Sequence, residues 1–210
     1  MYGIENLSAF ILTAIIVVIS PGVDTIMVLT RSISRGKTAG LYSAIGVSLG
    51  LLVHTCAATF GLSLLLAKSA LAYSVIKYLG AAYLLYMGYK AITDKSQQTE
   101  IKSRKLSIVN NRKMLLTAFL SDVLNPKIAI FFLAFLPQFV SVSSISNPVP
   151  YLILGGIIFF ITLVWCTCLA LLGSRVAALF NKHQYAEKVM NKATGVVFIL
   201  LGIKVALTKR

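Results

Sequence analysis

The chain has 210 residues, of which 58% are hydrophobic and 12% charged, and its mean hydropathy is +0.86. Globular chains carry about 25% charged residues, so this one lacks the polar coat of a secreted disulfide domain, a disordered tail or a typical cytosolic enzyme; the composition is that of an integral membrane protein. The net charge of +14 does not indicate nucleic acid as a partner, because the cations sit between long apolar runs and not together on one soluble face.

A helix needs about 20 apolar residues to cross the hydrocarbon core. In chain order the pattern predicts six: Leu7–Leu29, Leu41–Leu66, Leu71–Ile92, Met114–Leu136, Tyr151–Gly173 and Val189–Leu207. The first follows a flank with Glu5 and no Lys or Arg, and it is too long for a cleaved signal peptide. The first, third and fifth connections hold most of the cations, including Arg31, Arg35 and Lys37, the run from Lys90 to Lys113, and Arg175, Lys182 and Lys188. The positive-inside rule places these connections in the cytoplasm and both termini outside. Thr93–Lys113 reads as a cytoplasmic linker, the uncharged Pro137–Pro150 as an outer loop, and Arg175–Lys188 as an interfacial amphipathic helix or a solvated loop.

The two halves resemble each other. Ser20-Pro21-Gly22 breaks the first span and Asn125-Pro126 the fourth. Thr55-Cys56 with Gly61 in the second matches Thr167-Cys168 with Gly173 in the fifth, and Gly88-Tyr89-Lys90 in the third matches Gly202-Ile203-Lys204 in the sixth. The pairs keep their order with slowly growing offsets. The expected fold is therefore all-α, with six transmembrane helices in two inverted three-helix repeats. Residues 1–92 form the first repeat, 93–113 the linker and 114–210 the second repeat.

Of the six acidic residues, only Asp24 and Asp122 fall inside spans, each close to a helix-breaking proline. An ionised residue at the centre of a span costs about 2.5–3.5 kcal/mol on insertion scales. Proline withholds one backbone donor and frees a carbonyl about one turn earlier. Freed backbone at membrane depth is tolerated only against protein or water. Two such breaks, one per repeat, point to a central site built from Ser20, Pro21, Gly22, Asp24, Asp122, Asn125, Pro126 and Lys127. Plainer roles compete: Asp24 pairing with Arg31 one or two turns away, Asp122 neutralising Lys127, His54 as a packing residue or a proton relay, and Tyr83, Tyr86 and Tyr89 as interface anchors or cavity lining. Gly46 and Gly50 have the spacing that seats a neighbouring helix.

Along nearly its whole length the chain resembles the LysE/RhtB family of bacterial amino-acid exporters. The matching pieces are Ser20-Pro21-Gly22, Gly80-Ala81-Ala82-Tyr83-Leu84 with Gly88, Asn125-Pro126-Lys127, and Asn191 with Gly195 and Gly202. The family often has a second proline after Ser-Pro-Gly, where this chain has Val23. The resemblance implies efflux of amino acids or their derivatives across the bacterial inner membrane, powered by the proton gradient. The partners would be a small-molecule substrate and the bilayer, with a homo-oligomer compatible. Helix N-terminal amides and Lys127 would receive a substrate carboxylate; carbonyls, Asn125, Asp24 or Asp122 would receive its ammonium. No catalytic residue, metal or cofactor is expected. The competing readings are a membrane thiol-redox protein, from Cys56, Cys166 and Cys168, or an exporter of another small solute or metal ion; but two residues apart on a helix puts Cys166 and Cys168 about 200° apart. Two His and two embedded Asp also suit a metal-ion exporter poorly.

Overall fold

A computed structural model describes residues 2–20, 22–63, 65, 69–93, 110–182 and 184–207. Pro21, most of the expected linker and the Asn191 side chain lie outside the described residues. Among those described the secondary structure is helical, with one isolated antiparallel bridge between Ile4 and Val140. We number the helices α1 (Leu7–Ile19), α2 (Val23–Arg35), α3 (Lys37–Cys56), α4 (Ala70–Thr93), α5 (Asn111–Val123), α6 (Pro126–Ile130), α7 (Pro148–Lys182) and α8 (Gln184–Leu207). A π-helical turn, Ala57–Leu62, prolongs α3, and another, Phe131–Phe135, prolongs α6 into a 3₁₀ turn at Leu136–Phe139.

Among the described residues two stretches, Lys37–Leu62 and Pro148–Gly173, are long and apolar enough to cross a membrane; counting each bent pair as one span gives up to four. The bent pairs are α1 with α2, at 50°, and α5 with Pro126–Phe139, at 45°. The outer surface is apolar, with Leu12, Phe60, Leu71, Phe160 and Leu200 exposed. In water that would be a liability; in hydrocarbon it is the solvent-facing surface.

Lipid tails are as apolar as leucine, so helices in a bilayer associate through close packing more than through hydrophobic burial. α3 packs on α5 and α7, and α4 packs on α8. Small residues make both contacts close. A side chain on Gly46 would strike the Leu115 carbonyl and Ala118 of α5, which bears out the predicted seat for a neighbouring helix. Between α4 and α8, Gly88 and Gly195 each lie against the other's carbonyl.

An aromatic core fills one end. Phe131, Phe135, Phe139 and Phe10 pack in series, tilted and then edge-on, with ring centroids 4.9, 4.8 and 5.1 Å apart. The N-terminal segment is clipped to the same end, where Glu5 N donates to Phe139 O at 2.8 Å and Ser141 N to Gly3 O at 2.8 Å. The predicted loop Pro137–Pro150 is thus less open than its composition suggested, because Phe139 and Val140 are buried in this core. α7 runs on as helix to Lys182, so no separate interfacial helix begins at Arg175.

Candidate functional site

The two helix breaks meet. α1 stops at Ile19, and Ser20 N still donates to Ile16 O at 3.0 Å. The next donor in line would belong to residue 21. Proline has none, so the carbonyl four residues back, Val17 O, loses its helical partner. Lys127 supplies one from the other broken helix: its Nζ donates to Val17 O at 3.0 Å and to Ser20 O at 3.3 Å. The same ammonium stands 5.9 Å from the centre of the Phe198 ring.

The second break follows the same rule. Pro126 carries no N–H for Asp122 O. That carbonyl instead accepts Asn125 N–H at 2.9 Å and meets His54 Nε2 at 3.1 Å. A carbonyl can only accept, so Nε2 carries the hydrogen in this contact. His54 is also stacked on Phe132, with centroids 5.7 Å apart. Pro126 sits at the first position of α6, where a missing N–H costs nothing. Asn125 caps that helix, its Oδ1 accepting Lys127 N–H at 3.0 Å. The other end of the same amide ties the two breaks together: Asn125 Nδ2 donates to Asp24 Oδ2 at 2.7 Å.

Asp24 lies in the first turn of α2, whose N-terminus, at Gly22, has no side-chain cap. Its second oxygen, Oδ1, is buried with no hydrogen-bond partner among the described residues. Asp122 is fully buried, and neither of its carboxyl oxygens has a partner there. Gly50 of α3 packs against this carboxyl group, and any side chain at that position would collide with it. Thr162 Oγ1 on α7 is likewise buried and unpartnered among the described residues.

A cavity of about 30 Å³ joins these groups. Ser20, Gly22, Asp24, Asp122, Lys127 and Thr162 supply its polar wall, and Val17, Val47, Leu51 and Ile128 its apolar wall. A lysine ammonium has three donors, of which two are used here. Among the described residues the site therefore presents one uncommitted N–H together with uncommitted carboxyl oxygens. A charge on Asp122 would go unmatched, so the site has room for one incoming cation or one proton.

Of the predicted residues, Ser20, Gly22, Asp24, Asp122 and Lys127 share this cavity, Asn125 links two of them, and Pro126 starts the helix that carries Lys127. Two expected pairings do not occur. Asp24 turns to Asn125 and not to Arg31, whose guanidinium donates to Met114 O at 2.7 Å, Thr117 Oγ1 at 2.8 Å and Ser43 Oγ at 3.0 Å. Asp122 does not neutralise Lys127, which is committed to the α1 carbonyls. Tyr83, Tyr86 and Tyr89 are outside the cavity, the last two exposed on the apolar surface. The cysteines are free thiols, Cys166 buried in the cavity wall and Cys56 and Cys168 exposed. No cluster of metal-ligating side chains occurs among the described residues. Sequence reasoning missed Thr162 and the apolar wall, which carry no local signal in an apolar run. It also missed the part His54 plays at the second break.

Comparison with known proteins agrees with the site's setting. The family described as LysE type translocator matches residues 15–209. An uncharacterized membrane protein of Bacillus subtilis (strain 168), YrhP, is 33% identical over 211 residues, covering 97% of this chain and 100% of the relative. The leucine efflux protein of Salmonella typhimurium (strain LT2) is 27% identical over 209 residues, covering 98% of this chain and 96% of its own. No solved structure matches the chain.

Proposed function

The chain belongs to the LysE type translocator family, transporters and not enzymes, and from that premise we propose that it exports a small apolar amino acid across the bacterial inner membrane. The observation that carries this reading is the meeting of the two breaks around one cation with a spare donor and two carboxyl groups with spare acceptors. An amino acid is the complement of that set. Its carboxylate takes the third N–H of Lys127 and the open amides at the start of α2, where the helix dipole also favours an anion. Its ammonium takes Asp24 Oδ1 and the Asp122 carboxyl group. Its side chain lies on Val17, Val47, Leu51 and Ile128. One relative is named for leucine efflux, and an aliphatic wall is the chemistry that a leucine side chain seeks once the site opens.

The cavity has space for a water or two and not for leucine. Binding must therefore part the two breaks, and alternating access supplies that motion: one half rocks against the other and opens the site to each face in turn. In this reading the fold is two inverted three-helix repeats, 1–92 and 114–210, joined by the 93–113 linker. Six spans arise when α4 and α8 cross as well. Their glycine-seated pairing and the facing of α2 with α6 support a two-fold relation between the halves. Both termini lie outside, as the cationic connections require. Asp122 carries the coupling proton when the substrate ammonium has left.

The test uses purified protein in liposomes loaded with a panel of labelled amino acids, with and without an imposed pH gradient. Protein-dependent efflux of the apolar members, stimulated by the gradient, is the expected result. Absence of efflux for every member, from folded and inserted protein, would overturn the reading.

A further inference from the structure

The end of α1 offers oxygens to a cation. Val17 O is freed by the proline chemistry of residue 21, and Ser20 O lies beyond the last helical turn. In transporters built on broken helices, such terminal carbonyls are where a coupling sodium ion is held. Here they are taken by the Lys127 ammonium, at 3.0 and 3.3 Å. The side chain reaches them from a helix that Asn125 caps and Pro126 starts, so the ammonium is delivered from a fixed platform. Asp24, anchored by Asn125 at 2.7 Å, adds a carboxylate to the same cavity. Two carbonyls lie at the ammonium, and Ser20 and Asp24 line the same cavity, so the oxygens there are of the hard kind that an alkali cation takes.

We infer that Lys127 is a tethered cation occupying what is otherwise an alkali-ion site at the end of α1, so that the wild-type protein works without sodium and loss of the lysine side chain creates a sodium site. This extends the transporter reading to its ion requirement and rests on that reading, but it is also a claim about binding that can be read without transport. It differs from a lysine that only receives the substrate carboxylate, because that role leaves no alkali-ion site behind.

The experiment compares wild type with Lys127→Ala and Lys127→Ser, each purified in sodium, potassium or choline chloride at equal ionic strength. Melting temperature in detergent and efflux from liposomes are both followed. The wild type should melt alike in all three salts and export without sodium. Either variant should melt about 4 °C higher in sodium than in choline, while efflux stays low in every salt because the third N–H that receives the substrate carboxylate is gone. Lys127→Ser keeps a hydroxyl for the ion and serves if Lys127→Ala does not fold. Variants that melt alike in every salt would overturn the inference, as would variants that fold in none or wild-type efflux that requires sodium. If the wild type exports nothing but a variant gains the sodium shift, the cation site stands and the transport reading falls. If the wild type exports and no variant responds to sodium, the cation reading falls alone.

Discussion

At the first helix break, the carbonyl freed by proline, Val17 O, depends on the ammonium of Lys127, reaching over from the opposite broken helix. At the second, Asp122 O is met by the nearby backbone, including the Asn125 N–H three residues on, and by the imidazole of His54. The backbone problem is the same, because proline withholds the same hydrogen bond in each case. The solutions differ in range and in charge. The first uses a cation on another element and so couples the two breaks; the second is partly local. Asn125 is the hinge of the comparison, since one amide caps α6 and holds Asp24 of α2. The first break is therefore the more vulnerable of the two and the more directly tied to the charge of the site.

The largest effect belongs to Lys127→Met, which keeps the bulk of the side chain and removes its charge and donors. It strands Val17 O, at about 1–3 kcal/mol, and removes the proposed anchor for the substrate carboxylate. Efflux should fall about a hundredfold in the liposome assay, and undiminished efflux would dissolve the asymmetry. Asp122→Asn comes next. Stimulation of efflux by a pH gradient should vanish, about thirtyfold at a steep gradient, while exchange of labelled for unlabelled substrate without a gradient persists. Asn125→Ala loses a helix cap and the hold on Asp24 together. A charge-assisted hydrogen bond contributes about 1.5–3 kcal/mol, so half-saturation should rise about tenfold, measured as substrate dependence of efflux. The smallest effect belongs to His54→Phe, which keeps the stacking on Phe132 and leaves Asp122 O its Asn125 donor. Melting should drop by only a few degrees, about 1 kcal/mol, with efflux changed less than about threefold. A His54 effect larger than that of Lys127 would reverse the account.

The breaks themselves were legible in the sequence. Proline chemistry alone names a carbonyl about one turn earlier, and the structure shows both carbonyls at those places, Val17 O and Asp122 O. What took them was not legible. Lys127 and His54 are distant in sequence from the atoms they serve, and only the crossing of helices brings them near. The same limit explains Asp24. Arg31 lies on its own helix, but the guanidinium is drawn to the backbone and hydroxyls of α5 and α3, while Asn125 arrives from the other break. Gly46 and Gly50 were readable as a helix seat, yet nothing local said that Gly50 would face the bare carboxyl group of Asp122. The apolar wall of the cavity could not be told from lipid-facing surface, because both are written in the same residues. The continuation of α7 to Lys182 and the π-helical turns also left no pattern beyond the apolar runs in which they sit.

In the proposed function the two breaks together hold the two charged ends of one amino acid. The direct measurement is efflux from the same liposomes of three labelled solutes with one carbon skeleton: leucine, the carboxylic acid that lacks its amino group, and the amine that lacks its carboxylate. Leucine should show protein-dependent efflux, with each truncated solute slower by about tenfold or more, since a buried charged partner is then left unmatched. Export of either truncated solute as fast as leucine would contradict the proposed function.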